Sequence, residues 1–227
     1  MAFTLSQVVP WGRTFDEYVA MFALSDKDLG KRILDCSGGP ASFNRVLTAR
    51  GGRVVSADPI YCFSADEIRR RIGETYEEVL DQAGKNKDEF VWQAITSVEE
   101  LGRIRMAAMN DFLGDYPAGK TEGRYVEAAL PTLPFEDGEF DLALCSHFLF
   151  LYSEQLSEDF HFRSIEELCR VSSEVRIFPI LELGTRKSRH LDQIMDRLGE
   201  GGRKISVERV SYEFQKGGDE MLRIVTA

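Results

Sequence analysis

Cysteine and histidine are scarce in this chain of 227 residues, with four of the first and three of the second. Cys36, Cys62, Cys145 and Cys169 show no paired spacing, which excludes a disulfide framework and a structural zinc site, and no metal is expected. Three of the four lie in apolar runs and read as reduced, mostly buried thiols of a cytoplasmic protein. Positive charge is also short: 28 Lys and Arg face 38 Asp and Glu, a formal net charge of -10. That balance argues against a broad grip on nucleic acid or an anionic membrane, both of which need clustered basic residues. Long hydrophobic runs are missing. The most apolar window, Phe140 to Tyr152, is too short to span a bilayer, which takes roughly 20 residues. Met1 to Ser6 lack the basic and apolar regions of a signal peptide.

What is present is ordinary globular composition, 43% hydrophobic and 29% charged, in a length suited to one large α/β domain spanning residues 1–227. Strand and helix patterns alternate. Arg32–Cys36 reads as a first strand, about Pro40 to Arg50 as its helix, and Arg53–Ala57 as a second strand. Between the first strand and its helix lies Ser37-Gly38-Gly39, and an acid, Asp58, ends the second strand. A glycine turn that lets backbone approach a ligand, followed by an acid that accepts from ribose hydroxyls, suits an adenosine-containing ligand in a parallel sheet.

The crossover that follows is far longer than the dozen or so residues such a unit needs. Ile68, Ile72, Tyr76, Val79 and Leu80 form one amphipathic pattern, and Ile95 through Phe112 a second. This helical insertion, about 63–120, reads either as a layer of the sheet or as part of a cap over a substrate. Tyr125–Ala129, Phe140–Ser146 and Glu174–Leu183 read as strands three to five, with helices over Phe160–Val171 and Arg189–Leu198. Ile205–Phe214 and Met221–Thr226 follow with only a short turn between them, so they must be antiparallel. The expected fold is α/β: a Rossmann-like, doubly wound, mostly parallel seven-stranded sheet ending in an antiparallel hairpin.

With these residues in order, the chain resembles the class I S-adenosylmethionine-dependent methyltransferases over nearly its whole length. The carriers are the strand–Asp35–glycine bend, Asp58, the terminal hairpin, and the run Ala129-Leu130-Pro131-Thr132-Leu133-Pro134-Phe135-Glu136-Asp137-Gly138-Glu139-Phe140-Asp141. Three glycines are usual in the family's first loop; here Ser37, Gly39 and Ala41 stand at those places, with an extra Gly38. A nicotinamide dinucleotide needs the missing glycines for its pyrophosphate, so this pattern disfavours an oxidoreductase.

The resemblance implies S-adenosylmethionine as cofactor and the following roles. Asp35 would hold the methionyl ammonium, directly or through water, or else cap the following turn. Backbone at Ser37, Gly38 and Gly39 would approach the methionine portion, or simply permit positive φ in a strand-to-helix turn. Asp58, with Pro59 beside it, would clamp the ribose or cap a turn, and backbone near Leu130 would recognise adenine. An N-terminal helix over 13–25 would fold across the cofactor, with Arg13 facing its carboxylate and Tyr18 lining the transfer channel. Alternatively Trp11, Phe15, Tyr18 and Phe22 are a buried packing stripe. Beyond strand four, Ser146 would contact the cofactor and His147 would act as a general base, or be a hydrogen-bonded core histidine. Phe148, Phe150 and Tyr152, with part of the insertion, would shape an apolar acceptor pocket, or else belong to the core. His161 and His190 read as structural. The function implied is methyl transfer to a small-molecule acceptor; the alternative is a noncatalytic S-adenosylmethionine-binding or scaffold protein of the same fold. Acceptor and oligomeric state are not legible.

Overall fold

The protein is described here by a computed structural model covering residues 9–226; the expectation for Met1 to Ser6 lies outside these. Seven strands form one sheet in the order β3-β2-β1-β4-β5-β7-β6. In chain order they are β1 (Arg32–Cys36), β2 (Arg53–Ala57), β3 (Tyr125–Val126), β4 (Leu142–Ser146), β5 (Glu174–Phe178), β6 (Lys204–Arg209) and β7 (Glu220–Val225). The first five pair in parallel, and β7 runs antiparallel between β5 and β6. The expected architecture is the observed one.

Both faces of the sheet are covered, which is why its central strands read as unbroken apolar runs. Successive side chains of a strand point to opposite faces. Ile33, Leu142 and Leu144 meet α1 (Phe15–Met21) and α3 (Phe43–Ala49) on one side. Leu34, Ala143 and Cys145 meet α6 (Glu158–Val171) and α7 (Leu191–Gly199) on the other. Each such buried aliphatic side chain contributes about 1.5–3 kcal/mol of transfer free energy. Cys36, Cys145 and Cys169 are buried free thiols and Cys62 is exposed.

Several boundaries differ from expectation. The helix expected over 13–25 is shorter: α1 starts after Thr14, whose side chain forms a capping box with Glu17, and ends at Met21, with Ala23 beyond it at a left-handed φ of 46°. A separate short helix, α2 (Asp26–Leu29), follows with its own box from Ser25. The helix expected from Pro40 begins only at Phe43, and before it the Ser42 N–H donates to the Arg13 carbonyl at 3.0 Å. β3 stops at Val126, where the chain turns away from the sheet. β5 stops at Phe178, since Pro179 has no N–H to extend the ladder. The turn expected at 215–220 is a longer connection, because β6 ends at Arg209 and β7 starts at Glu220.

In the insertion, helix α5 (Val98–Thr121) lies beside α3 and β3 as a layer of the sheet, while α4 (Ala65–Lys85) packs against α5 as the other half of a helical hairpin. The segment after α4 then pairs with the β6–β7 connection: Val91 N–H donates to the Phe214 carbonyl at 2.7 Å, and Lys216 N–H to that of Glu89 at 2.9 Å. No helix among the described residues is long and apolar enough to cross a membrane.

Candidate functional site

Register brings the chemistry together. Cys36 pairs with Ala57 on one side and Cys145 on the other, so β1, β2 and β4 end at one level. The residues that leave those ends are therefore neighbours: the bend at Ser37, the acid at Asp58 and His147. Ser37 and His147 both adopt left-handed backbone, with φ of 60° and 51°. For residues with a side chain this costs about 1–3 kcal/mol each, and such strain gathers at functional sites.

Asp58 fastens the bend. Its Oδ2 accepts from the Gly39 N–H at 2.9 Å and its Oδ1 from the Ile60 N–H at 2.8 Å, which caps the 3-10 turn Pro59–Cys62. The expected turn-capping role is thus real, and the carboxylate also lines the cavity described below. Burial raises its pKa to about 6, against the pull of those two N–H groups. Tyr61 completes the brace by donating to the Gly39 carbonyl at 2.7 Å.

Asp35 sits elsewhere than a ligand-contacting role would require. It is 1% exposed and does not line the cavity. Its Oδ1 accepts from the Tyr18 hydroxyl and its Oδ2 from that of Ser56, each at 2.9 Å. Burial raises its pKa to about 7. Gly38 closes over it: a Cβ at this position would stand 2.6 Å from both carboxylate oxygens and from the Tyr18 hydroxyl. Tyr18 itself is fully buried and stacks on Phe43 at 4.5 Å, so it belongs to the packing stripe with Phe15 and Phe22 and not to a channel. Phe150 is likewise core, packed on His161. His161 bonds the carbonyls of Ser157 and Leu149, and His190 those of Ser153 and Leu156; both are structural as expected.

The segment before α1 crosses the bend. Gly12 makes that possible, because a Cβ there would lie 2.1 Å from the Pro40 carbonyl oxygen. Arg13 follows. One of its terminal nitrogens donates to the Trp11 carbonyl at 2.6 Å, and its buried Nε has no partner among the described residues. Behind it stands a buried ion pair that the sequence did not announce. Arg105 of α5, 0% exposed, donates to Glu17 Oε2 at 2.5 Å, and Tyr212 of the β6–β7 connection donates to Glu17 Oε1 at 2.9 Å. Burial opposes the Glu17 charge, yet Arg105 wins and holds its pKa at about 2. Two guanidinium groups thus face one carboxylate, leaving a local excess of positive charge.

His147 lies under that charge. Its Nδ1 is 3.0 Å from the Ser146 Oγ, and Nε2 has no partner among the described residues. Burial, then Arg13 and Arg105, hold its pKa well below the ordinary value. At neutral pH the ring is uncharged.

These residues line one cavity of about 360 Å³. At its floor are Ser37, Gly38, Gly39, Asp58 and Pro59, with Leu130, Ser146, His147 and Arg13 around them. A Cβ added to Gly39 would meet nothing within 4 Å, so the bend opens on free space. Of the residues expected at the site, Asp35, Tyr18 and Phe150 stay out. The sequence reading missed the far wall: Trp11, Phe90, Phe178, Tyr212, Phe214 and Gln215. The Gln215 side-chain amide ties the roof to the carbonyls of Glu182 and Gly184. A run of aromatics in what reads as a hairpin was the available signal, hidden by assigning residues 205–214 to a strand.

A parallel sheet closed by a β7-β6 hairpin, with a bend after β1 and an acid after β2 over a shared cavity, is the class I S-adenosylmethionine-dependent methyltransferase fold. By sequence, the chain is similar to the uncharacterized protein MJ0045 of Methanocaldococcus jannaschii, 36% identical over 221 residues that cover 97% of each protein. It belongs to the family of that archaeal protein. No family model matches it. Among solved structures it is similar to the pyocyanin biosynthetic protein PhzM, 14% identical with a TM-score of 0.50, and to the mitomycin 7-O-methyltransferase MmcR, 13% identical with a TM-score of 0.50. Each match covers 94% of this chain and 54% of the other, so the chain spans about half the length of either. What it shares with them is the fold.

Proposed function

We propose that this protein is an S-adenosylmethionine-dependent methyltransferase acting on a small-molecule acceptor. The observation that carries the reading is the convergence of Asp58, the open bend at Gly39 and Arg13 on one cavity. An adenosine-bearing zwitterion presents hydroxyls and a carboxylate, and the lining offers an acceptor for the first in Asp58 and a cation for the second in Arg13. Asp58 accepts from the ribose hydroxyls. Pro59 and Leu130 flank the adenine, Ser146 lies beside the cofactor, and backbone at Ser37–Gly39 follows the methionyl chain. Arg13 receives the carboxylate, which neutralises the local excess of positive charge. Asp35 acts from behind Gly38, fixing the bend and biasing the field there toward cations.

When bound, the cofactor supplies a methyl group already activated on a sulfonium sulfur. The work left to the protein is alignment and exclusion of water. The roof formed by residues 89–92 and 212–218 supports that role, and so does the aromatic wall beneath it. His147 keeps a neutral Nε2 available to take a proton from the acceptor.

Calorimetric titration with S-adenosylhomocysteine tests the reading. Saturable heat is expected. Its absence removes cofactor use, and heat without turnover on a broad acceptor panel moves the assignment to a noncatalytic binding protein.

A further inference from the structure

The outer half of the cavity has a character of its own. Its floor carries the hydroxyls and carboxylate already described, but above them Trp11, Phe148, Tyr152, Phe178, Leu183 and Phe214 form the wall. Phe214 stacks on Phe90 at 4.9 Å and meets the edge of Trp92 at 5.4 Å, so the roof is itself an aromatic cluster. A molecule entering here exchanges water for ring faces. A sugar-like hydroxyl left without a partner there would lose its bond to water with nothing in return. A flat ring instead gains from each aromatic contact beyond its buried area.

Charge narrows the choice. Across the lining Asp58 and Glu89 balance Arg13 and the exposed Arg71. With the methionyl carboxylate on Arg13, the charge left where the acceptor's nucleophile must sit is that of the sulfonium. A cationic acceptor would meet like charge there, and a neutral or anionic oxygen would not.

His147 sets the acidity required. It is held neutral by burial and by the two arginines, which makes it a weak base. A hydroxyl as weakly acidic as water, about 15.7, is out of its reach. A phenolic hydroxyl, about 10, is far closer, and a sulfonium beside it would lower the phenol's pKa further.

Resting on the methyl-transfer reading of the site, we propose that the acceptor is a small aromatic hydroxy compound without positive charge. Its ring lies among Phe148, Tyr152, Phe178 and Phe214, and its oxygen faces His147. The acceptor O–H proton goes to His147 Nε2, and the oxygen lone pair forms the new bond to the methyl carbon. The electron pair of the broken carbon–sulfur bond remains on sulfur as a neutral thioether. The histidinium then returns its proton to solvent.

S-adenosylhomocysteine titration comes first, since its failure removes the methyl-transfer reading and not merely this acceptor. With the loaded protein, 2-naphthol is expected to give saturable heat and, with S-adenosylmethionine, to be methylated on oxygen. Naphthylmethylammonium, similar in shape but cationic, and inositol, a polyol, are expected to give none. Equal or tighter binding of either one overturns the proposal, and so does a loaded protein that ignores 2-naphthol. His147→Gln is then read on a series of substituted phenols. Turnover should fall by about 100-fold for weakly acidic phenols and little for p-nitrophenol, which ionises near neutral pH unaided. A uniform loss across the series overturns the base assignment. Should that variant not fold, Phe214→Leu decides: KM for 2-naphthol rises severalfold with S-adenosylhomocysteine affinity retained, whereas an unchanged KM overturns the aromatic assignment.

Discussion

Asp58 and Gly38 divide the work of the bend between them, one from the cavity side and one from beneath. Asp58 holds the Gly39 N–H and still faces the cavity, so its loss removes both a brace and an acceptor. Asp58→Ala is expected to weaken S-adenosylhomocysteine binding by about 1–3 kcal/mol, because ligand hydroxyls are left unpaired in a buried place. Calorimetry reads this directly, and unchanged affinity would mean that the acid serves only the turn. Gly38→Ala acts differently. The added methyl collides with the Asp35 carboxylate and the Tyr18 hydroxyl, both buried and rigidly packed. A destabilisation of about 1–3 kcal/mol in urea unfolding is expected, typical of overpacking; a variant of wild-type stability would show that the bend floats freely above Asp35. The acid and the glycine were both legible in the sequence. Which of the two acids faces the cavity was not, since that depends on Tyr18 arriving from a helix outside the βαβ unit.

At the scale of elements, the Glu17–Arg105–Tyr212 cluster joins α1, α5 and the β6–β7 connection, three segments that share no other buried ion pair. Its partners are 88 and 195 residues apart along the chain. Removing one member leaves a buried charge alone, so Arg105→Met should cost about 3–5 kcal/mol in urea unfolding. Adding Glu17→Gln should recover much of that loss, because the stranded carboxylate is then neutral. Strict additivity of the two losses would mean that the residues do not interact. Periodicity could not reveal this cluster. Arg105 falls in an amphipathic helix where an arginine reads as solvated, and only the seating of α5 against α1 makes it interior.

For the molecule as a whole, buried acids of opposite kinds set the pH dependence. Asp35 and Asp58 have pKa values raised to about 7 and about 6, so the folded protein holds protons that the unfolded chain releases near pH 4. Their contribution to stability is full below that point and is lost as pH rises through their folded values. Glu17, held at about 2, does the reverse: its contribution is present above the ordinary glutamate range and is lost as pH falls toward 2. Across pH 5 to 8 these two acids favour the acid side, whereas His147 and His161, kept neutral by burial, favour the alkaline side, so the variant is the clean reading: Asp35→Asn should gain stability relative to wild type as pH rises from about 5 to about 8. Urea midpoints of both proteins across that range check it. A variant whose midpoint keeps a constant offset from wild type at every pH contradicts the assignment.

Sequence alone determined the mostly parallel sheet, its closing hairpin and the place of the bend, because parallel strands buried on both faces, glycine turns and strand-end acids are written in neighbouring residues. Local periodicity also located α4 and α5. Tertiary structure decided which polar groups face the cavity and what encloses it. Gly12 laid across Pro40, Arg105 turned inward on Glu17, and residues 89–92 paired with 214–216 are contacts between distant segments. Burial and charge at such contacts depend on three-dimensional neighbours, and so His147 is held neutral by burial and by two arginines that lie far from it in the chain.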